Sequence, residues 1–165
     1  HPNSRRQRQM CIRDRVRRGF DKEDFARNHP GGELGKQLAL KVENIMHPIN
    51  DVAQINNKDS ISSCAKKMTD NPLGAALLLE NGSLKGIVTE GDLRKSIASN
   101  LDLSNSIEPF INDNPISIHS SVSILDAMKI MEDRSSKISC LPVVDSDGKC
   151  LGLLTIHDLY QTKLV

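Results

Sequence analysis

Aromatic side chains are nearly missing from this chain: 165 residues include no tryptophan, one tyrosine and three phenylalanines. Any base it holds must therefore lie against aliphatic side chains and backbone, because ring stacking has few partners here. No stretch approaches the ~18 apolar residues of a membrane-spanning helix, and no secretory leader is visible. An excess of one charge is lacking too. The 22 basic and 21 acidic side chains leave a formal charge of +1, which makes no electrostatic case for a nucleic-acid partner. Cys11, Cys64, Cys140 and Cys150 contain no Cys-x-x-Cys pair. Cys140 and Cys150 flank a turn and fit paired strands, yet reduced thiols of a cytoplasmic protein are the better reading. His29, His47, His119 and His157 are too scattered for a metal site, so none is expected.

What the chain does have is a repeat. Gly86-Ile87-Val88-Thr89-Glu90-Gly91-Asp92-Leu93 returns as Gly152-Leu153-Leu154-Thr155-Ile156-His157-Asp158-Leu159. The offset is constant, since 155 − 89 and 158 − 92 both equal 66. Such self-similarity marks an internal duplication in which one copy cannot bury its apolar face alone. The flanks repeat as well. Ile124, Ala127, Met128 and Met131 follow the i, i+3, i+4, i+7 spacing of one helical stripe, with Ser121 or Ser123 as N-cap. Asn81-Gly82 and Asp147-Gly148 lie between apolar runs, where a type I′ hairpin turn needs residues that tolerate positive φ. Each copy reads strand, helix, strand, hairpin, strand, helix.

This pattern, closed by Gly-h-h-Thr-x-x-Asp-Leu (h apolar), resembles a tandem pair of cystathionine-β-synthase (CBS) domains from about Val42 to Val165. The resemblance implies an α/β (α+β) fold, each copy a small three-stranded sheet with two helices. It also implies two pseudo-symmetric clefts that bind nucleotides or their conjugates. Asp92 and Asp158 would accept hydrogen bonds from a ribose diol, with Thr89 and Thr155 supplying a hydroxyl beside them. Free N–H groups at the helix start suit a phosphate. Thr-x-x-Asp at a helix start is equally an ordinary capping arrangement that requires no ligand. The copies are not equivalent, because His157 replaces Gly91 and Tyr160 replaces Arg94. Arg94 can pair with a phosphate and Tyr160 cannot, so an anion is expected on the Asp92 side. By the same resemblance, backbone at Pro72-Leu73-Gly74 and Ile138-Ser139 would frame a base.

Ahead of the repeat, Phe25-Ala26-Arg27-Asn28-His29-Pro30-Gly31-Gly32-Glu33-Leu34-Gly35 is similar to the junction of D-arabinose 5-phosphate isomerases. Those enzymes join a sugar isomerase (SIS) domain to a C-terminal CBS pair, and interconvert D-ribulose 5-phosphate and D-arabinose 5-phosphate for Kdo and lipopolysaccharide synthesis. The resemblance makes His29 a catalytic residue. An enediol mechanism needs a group that takes and returns a proton near neutral pH, and imidazole titrates there. Nothing before Phe20 offers the phosphate loop of an SIS domain, so the 165-residue chain alone is expected to be inactive. The sugar phosphate would bind through the absent domain.

Residues 1–15 carry Arg5, Arg6, Arg8, Arg13 and Arg15 and fit no element of that family, so they read as a non-native or disordered tail. The expected map is then this tail, an SIS remnant and linker over 16–41, one CBS copy over 42–102 and a second over 103–165. The absence of a starting methionine suggests a chain begun mid-protein, and the family match at Val165 suggests its natural end. Two roles follow. One is a regulatory and assembly module of a tetrameric isomerase, needing no cofactor and sensing CMP-Kdo or an adenine nucleotide. The other is a purely structural interaction module with empty clefts, or a stand-alone nucleotide sensor.

Overall fold

A computed structural model describes residues 39–133 and 135–162. The catalytic expectation at His29 and the Arg-rich tail lie outside them. The elements alternate as the duplication requires. After a two-residue strand β1 (His47–Pro48), the first copy runs β2 (Ala53–Ile55), α1 (Ile61–Asp70), β3 (Ala75–Glu80), β4 (Ser83–Thr89) and α2 (Glu90–Ala98). The second runs β5 (Ile118–His119), α3 (Ile124–Glu132), β6 (Cys140–Val144), β7 (Cys150–Thr155) and α4 (Ile156–Gln161). In each copy the first strand pairs parallel with the second, and the second pairs antiparallel with the third.

Helix starts follow local chemistry. Ser60 and Ser123 cap α1 and α3 by accepting the N–H of Ser63 and Asp126. The stripe on α3 turns inward as its spacing predicts: Ile124, Ala127 and Met131 are buried and Met128 packs against them. The two hairpins differ. Asn81 (φ 51°) and Gly82 (φ 81°) both take the left-handed region, as a type I′ turn demands. In the second hairpin only Gly148 does so (φ 78°), and the Gly148 N–H donates to the Asp145 carbonyl across a longer loop. A type I′ turn was expected there. The Asp145 side chain instead accepts the N–H groups of Asp147 and Lys149, and so stabilises the wider turn.

The copies also exchange their leading segments. Residues before β2 pack on the second copy: Val42 is fully buried in that copy's core, and its N–H donates to the Val122 carbonyl. β1 then pairs antiparallel with β7, His47 opposite Leu153 and Pro48 opposite Gly152. Reciprocally, residues before β5 pack on the first copy. Ile107 joins that core, and Asn112 exchanges both backbone hydrogen bonds with Ile87 on β4. The consequence is a four-stranded sheet, β1-β7-β6-β5, in the second copy, where three strands were expected. The first keeps three, β2-β3-β4, because its crossing segment makes a single bridge to that sheet, Asn112 with Ile87. A third apolar cluster lies between the sheets, with Val52, Ala75, Leu77 and Ile87 of one copy against Cys140, Cys150 and Leu153 of the other. Leu77 and Leu153 are fully buried, each contributing about 1.5–3 kcal/mol relative to exposure.

These exchanges explain the glycine that opens each repeated motif. A side chain at Gly152 would run into the backbone carbonyl of His47. One at Gly86 would come within 2.5 Å of the Ile111 side chain and 3.1 Å of the Asn112 carbonyl. Both glycines give the crossing chain room.

Candidate functional site

Between the two copies lies a cleft of about 840 Å³, and both repeated motifs open into it. The loop ahead of β3 (Pro72, Leu73, Gly74) and residues 136–139 ahead of β6 form two of its walls, both at places where the resemblance puts base contacts. The crossing segments supply His47 on one side and Asn112 and Asn114 on the other. Thr89, Arg94, Thr155 and Asp158 line the cleft, whereas Asp92 stands outside its lining. Both repeated motifs thus face the same cavity.

At both helix starts the threonine and aspartate form a capping box. Thr89 N–H and hydroxyl donate to one Asp92 carboxylate oxygen at 3.0 and 2.7 Å, and the Asp92 N–H returns a bond to the Thr89 oxygen at 3.3 Å. Thr155 and Asp158 repeat this geometry at 2.8, 2.7 and 3.3 Å. The capping reading of Thr-x-x-Asp therefore holds in both copies. Each box uses one carboxylate oxygen and leaves the other free to face a partner.

The second oxygens diverge. That of Asp92 accepts from Lys95 Nζ at 3.1 Å, a lysine on the same helix whose side chain is 74% exposed. Burial works against the Asp92 anion, but the bonds from Thr89 and Lys95 outweigh it and hold the carboxyl below its usual range. The second oxygen of Asp158 meets His47 Nε2 at 3.0 Å, and that imidazole arrives from the other copy's crossing strand. Asp158 is the more enclosed of the two, 13% exposed against 22%.

Cations stand at the cleft wall. Among the described residues Arg94 reaches only Glu90, at 3.8 Å with both side chains well exposed, which is a weak surface pair. Lys137 is also exposed on the wall. Tyr160, which occupies the position of Arg94 in the second copy, turns away and donates its hydroxyl to Glu132 at 2.6 Å. Cys140 sits at the base of the cleft, where its thiol donates to the Leu73 carbonyl at 3.2 Å and ties the two copies together. Burial raises its pKa, as it does for Cys64 (to about 11) and Cys150. These are packing thiols. Among the described residues no cluster of His, Cys, Asp and Glu has the makings of a metal site, and no helix is long and apolar enough to cross a membrane.

His47, Asn112, Asn114 and Lys137 were not anticipated as site residues. The glycine of the repeated motif was the available signal, since glycine inside a strand marks close approach by another backbone. Chemically, the cleft offers a shielded carboxylate, amide and hydroxyl groups, backbone at two loops and cations at the wall. That is equipment for binding a polar, anionic small molecule.

Comparison with known proteins bears on these features. The CBS domain family profile matches residues 42–99 and 107–163. An arabinose 5-phosphate isomerase, KdsD of Pseudomonas aeruginosa, is 40% identical over 146 residues, covering 87% of this chain and 44% of that protein. KdsD of Escherichia coli K12 is 33% identical over 150 residues, covering 90% and 45%. The chain thus spans less than half the length of these curated relatives. Among solved structures, the CBS domain pair of protein MJ0100 in complex with 5′-methylthioadenosine and S-adenosyl-L-methionine superposes with a TM-score of 0.64 at 25% identity, covering 74% of this chain and 94% of that one. The CBS domain protein PAE2072 of Pyrobaculum aerophilum, complexed with AMP, gives a TM-score of 0.62 at 22% identity, covering 72% and 89%.

Proposed function

This chain belongs to the CBS domain family, and we propose that its pair of copies is the ligand-sensing portion of a cytoplasmic D-arabinose 5-phosphate isomerase. The relatives that match along most of its length are arabinose 5-phosphate isomerases. The ligand is a nucleotide with an adenosine moiety. One observation carries this reading: the cleft between the copies gathers both repeated motifs around Asp158, Arg94 and two backbone loops. The MJ0100 pair, bound to two adenosine compounds, supports the choice of nucleoside. Asp158 would take the ribose diol, residues 138–140 the base, and Arg94 and Lys137 the phosphate. Of the two carboxylates expected for a ribose, Asp158 is chosen because it lines the cleft, and the anion stays with Arg94 of the first copy. Thr89 and Thr155 act here as caps that aim the carboxylates. In the intact enzyme the pair would also join subunits into a tetramer, and His29 would serve the isomerase domain that these 165 residues lack.

A thermal-shift and calorimetric titration of the full 165-residue chain tests the reading with AMP, ATP, CMP and CMP-Kdo. At about 100 times its Kd a ligand adds roughly 2.7 kcal/mol to the folded state. AMP or ATP should shift the transition, and Asp158→Ala should lose the shift while Asp92→Ala keeps it. A shift with CMP-Kdo alone would replace the adenine nucleotide by a nucleotide sugar. No shift with any of the four would leave the pair as a scaffold. Ribulose 5-phosphate turnover by the same chain is expected to be absent.

A further inference from the structure

We infer that His47 is a latch that holds the ligand-binding carboxylate until a ligand displaces it, so that occupancy of the cleft is converted into release of the strand on which His47 sits. This rests on the reading of Asp158 as the ribose-binding group. The capping box leaves Asp158 one carboxylate oxygen, and His47 Nε2 sits on that oxygen at 3.0 Å. Both residues line the cleft, so a diol arriving at Asp158 finds its acceptor taken. That oxygen has a second lone pair, as its neighbour in the capping box shows by accepting two donors. The latch therefore requires the ribose hydroxyl to take the line of approach that His47 now holds.

The latch sits on a short ladder. Its strand, β1, is two residues long and pairs with β7 at only two positions, His47 with Leu153 and Pro48 with Gly152. Pro48 has no N–H to give to that ladder. The His47 side chain is 35% exposed and lines the cleft. The strand also lies on the crossing between Val42, buried in the second copy, and β2 of the first. Freeing it therefore loosens the link between the two copies.

The first copy contains the control. Its crossing segment reaches β4 at Asn112, but the free oxygen of Asp92 is taken by Lys95 from its own helix. Ligand at that copy would displace a solvated lysine and leave the crossing segment in place. Among the described residues, only the second copy couples its carboxylate to a crossing segment.

AMP is the probe, and the full chain is the sample. His47→Ala should bind AMP about fivefold to tenfold more tightly, because the ligand no longer competes with a hydrogen bond. His47→Gln, which can still donate to Asp158, should bind near the wild-type level. Hydrogen exchange gives the readout that a merely structural role would not move. In the wild type, AMP should speed exchange of the amides around β1; in His47→Ala these should already be fast and unaltered by AMP. Equal or weaker binding by His47→Ala, with wild-type AMP binding intact, would overturn the latch and leave the nucleotide site standing. AMP protection of β1 in the wild type would overturn it as well. If neither protein binds AMP, the nucleotide reading and the latch fail together. Binding by His47→Ala alone would establish both, with the latch strong enough to close the site.

Discussion

The two copies have the same repeated motif, the same capping box and the same exchange of leading segments, yet they hold their partners with different firmness. The second copy receives a strand: β1 lies so close on β7 that Gly152 has no space for a methyl group. The first receives a single bridge on its sheet, and Gly86 is approached by the branch methyl of Ile111 before any backbone atom. The remaining oxygen of the capping aspartate follows this division. Where the crossing chain sits tightly it delivers His47 to Asp158; where it sits loosely, Asp92 turns to its own Lys95. Duplication thus provides two equal frames, and the linkers make one of them responsive.

The most forceful way to break this comparison is to fill the two glycines. Gly152→Ala must push backbone from backbone and should cost about 3 kcal/mol, the upper end for overpacking a close-packed site. Gly86→Ala must displace the Ile111 branch methyl, a side-chain and not a backbone atom, and should cost less, nearer ~1 kcal/mol. Urea denaturation of both variants measures the difference. Equal losses would mean that the two crossings are held alike and that the asymmetry resides in the side chains alone. A smaller effect should come from the caps. Thr89→Ala and Thr155→Ala should each lose about 1 kcal/mol, the usual cost of an N-cap threonine. They should differ in reach. Thr155→Ala frees Asp158 to rotate away from His47 and should also weaken AMP binding, whereas Thr89→Ala should leave that affinity unchanged. Affinity loss in both variants would argue for a ligand spanning the two motifs.

How much of this was legible in the sequence depends on how far apart the interacting residues lie. The α3 stripe, the Ser123 cap and the Asn81-Gly82 turn follow from spacing and backbone preference within a few residues, and each forms as read. The repeat supplied the pairing of copies, because an offset of 66 held through strand, turn and helix. The second hairpin departed from its reading because the Asp145 side chain, two residues before Asp147, competes for the turn. His47 was out of reach for a different reason. It meets Asp158 across 111 residues, and only the exchanged register of β1 on β7 brings them together. The sequence ranked the two sides by Arg94 against Tyr160 alone, because the partner of each carboxylate's second oxygen, His47 or Lys95, lies outside the matching motif residues.

The mildest test acts on the first copy through acid. Asp92 and Asp59 both sit below the usual carboxylate value of 3.8. For each, burial opposes the anion but hydrogen bonds overcome it: Thr89 and Lys95 at Asp92, and Lys67, Asn56 and Ser63 at Asp59. A carboxyl depressed in the folded state binds fewer protons there than when unfolded, so its contribution is complete above about pH 3.8 and is lost as pH falls through the folded value. Melting temperature should accordingly hold steady down to that pH and then decline. Asp59→Asn and Asp92→Asn should each start from a lower plateau and decline less steeply, since the group that takes up the proton is gone. Asp59 anchors Lys67 at 2.7 Å and receives the Ile107 N–H on its backbone carbonyl, which places it where the crossing segment meets α1. Its replacement should therefore loosen the first copy's crossing before the second's, detectable as faster exchange at Ile107 than at Val42. The reverse order would show that the single bridge, and not the short strand, is the firmer of the two crossings.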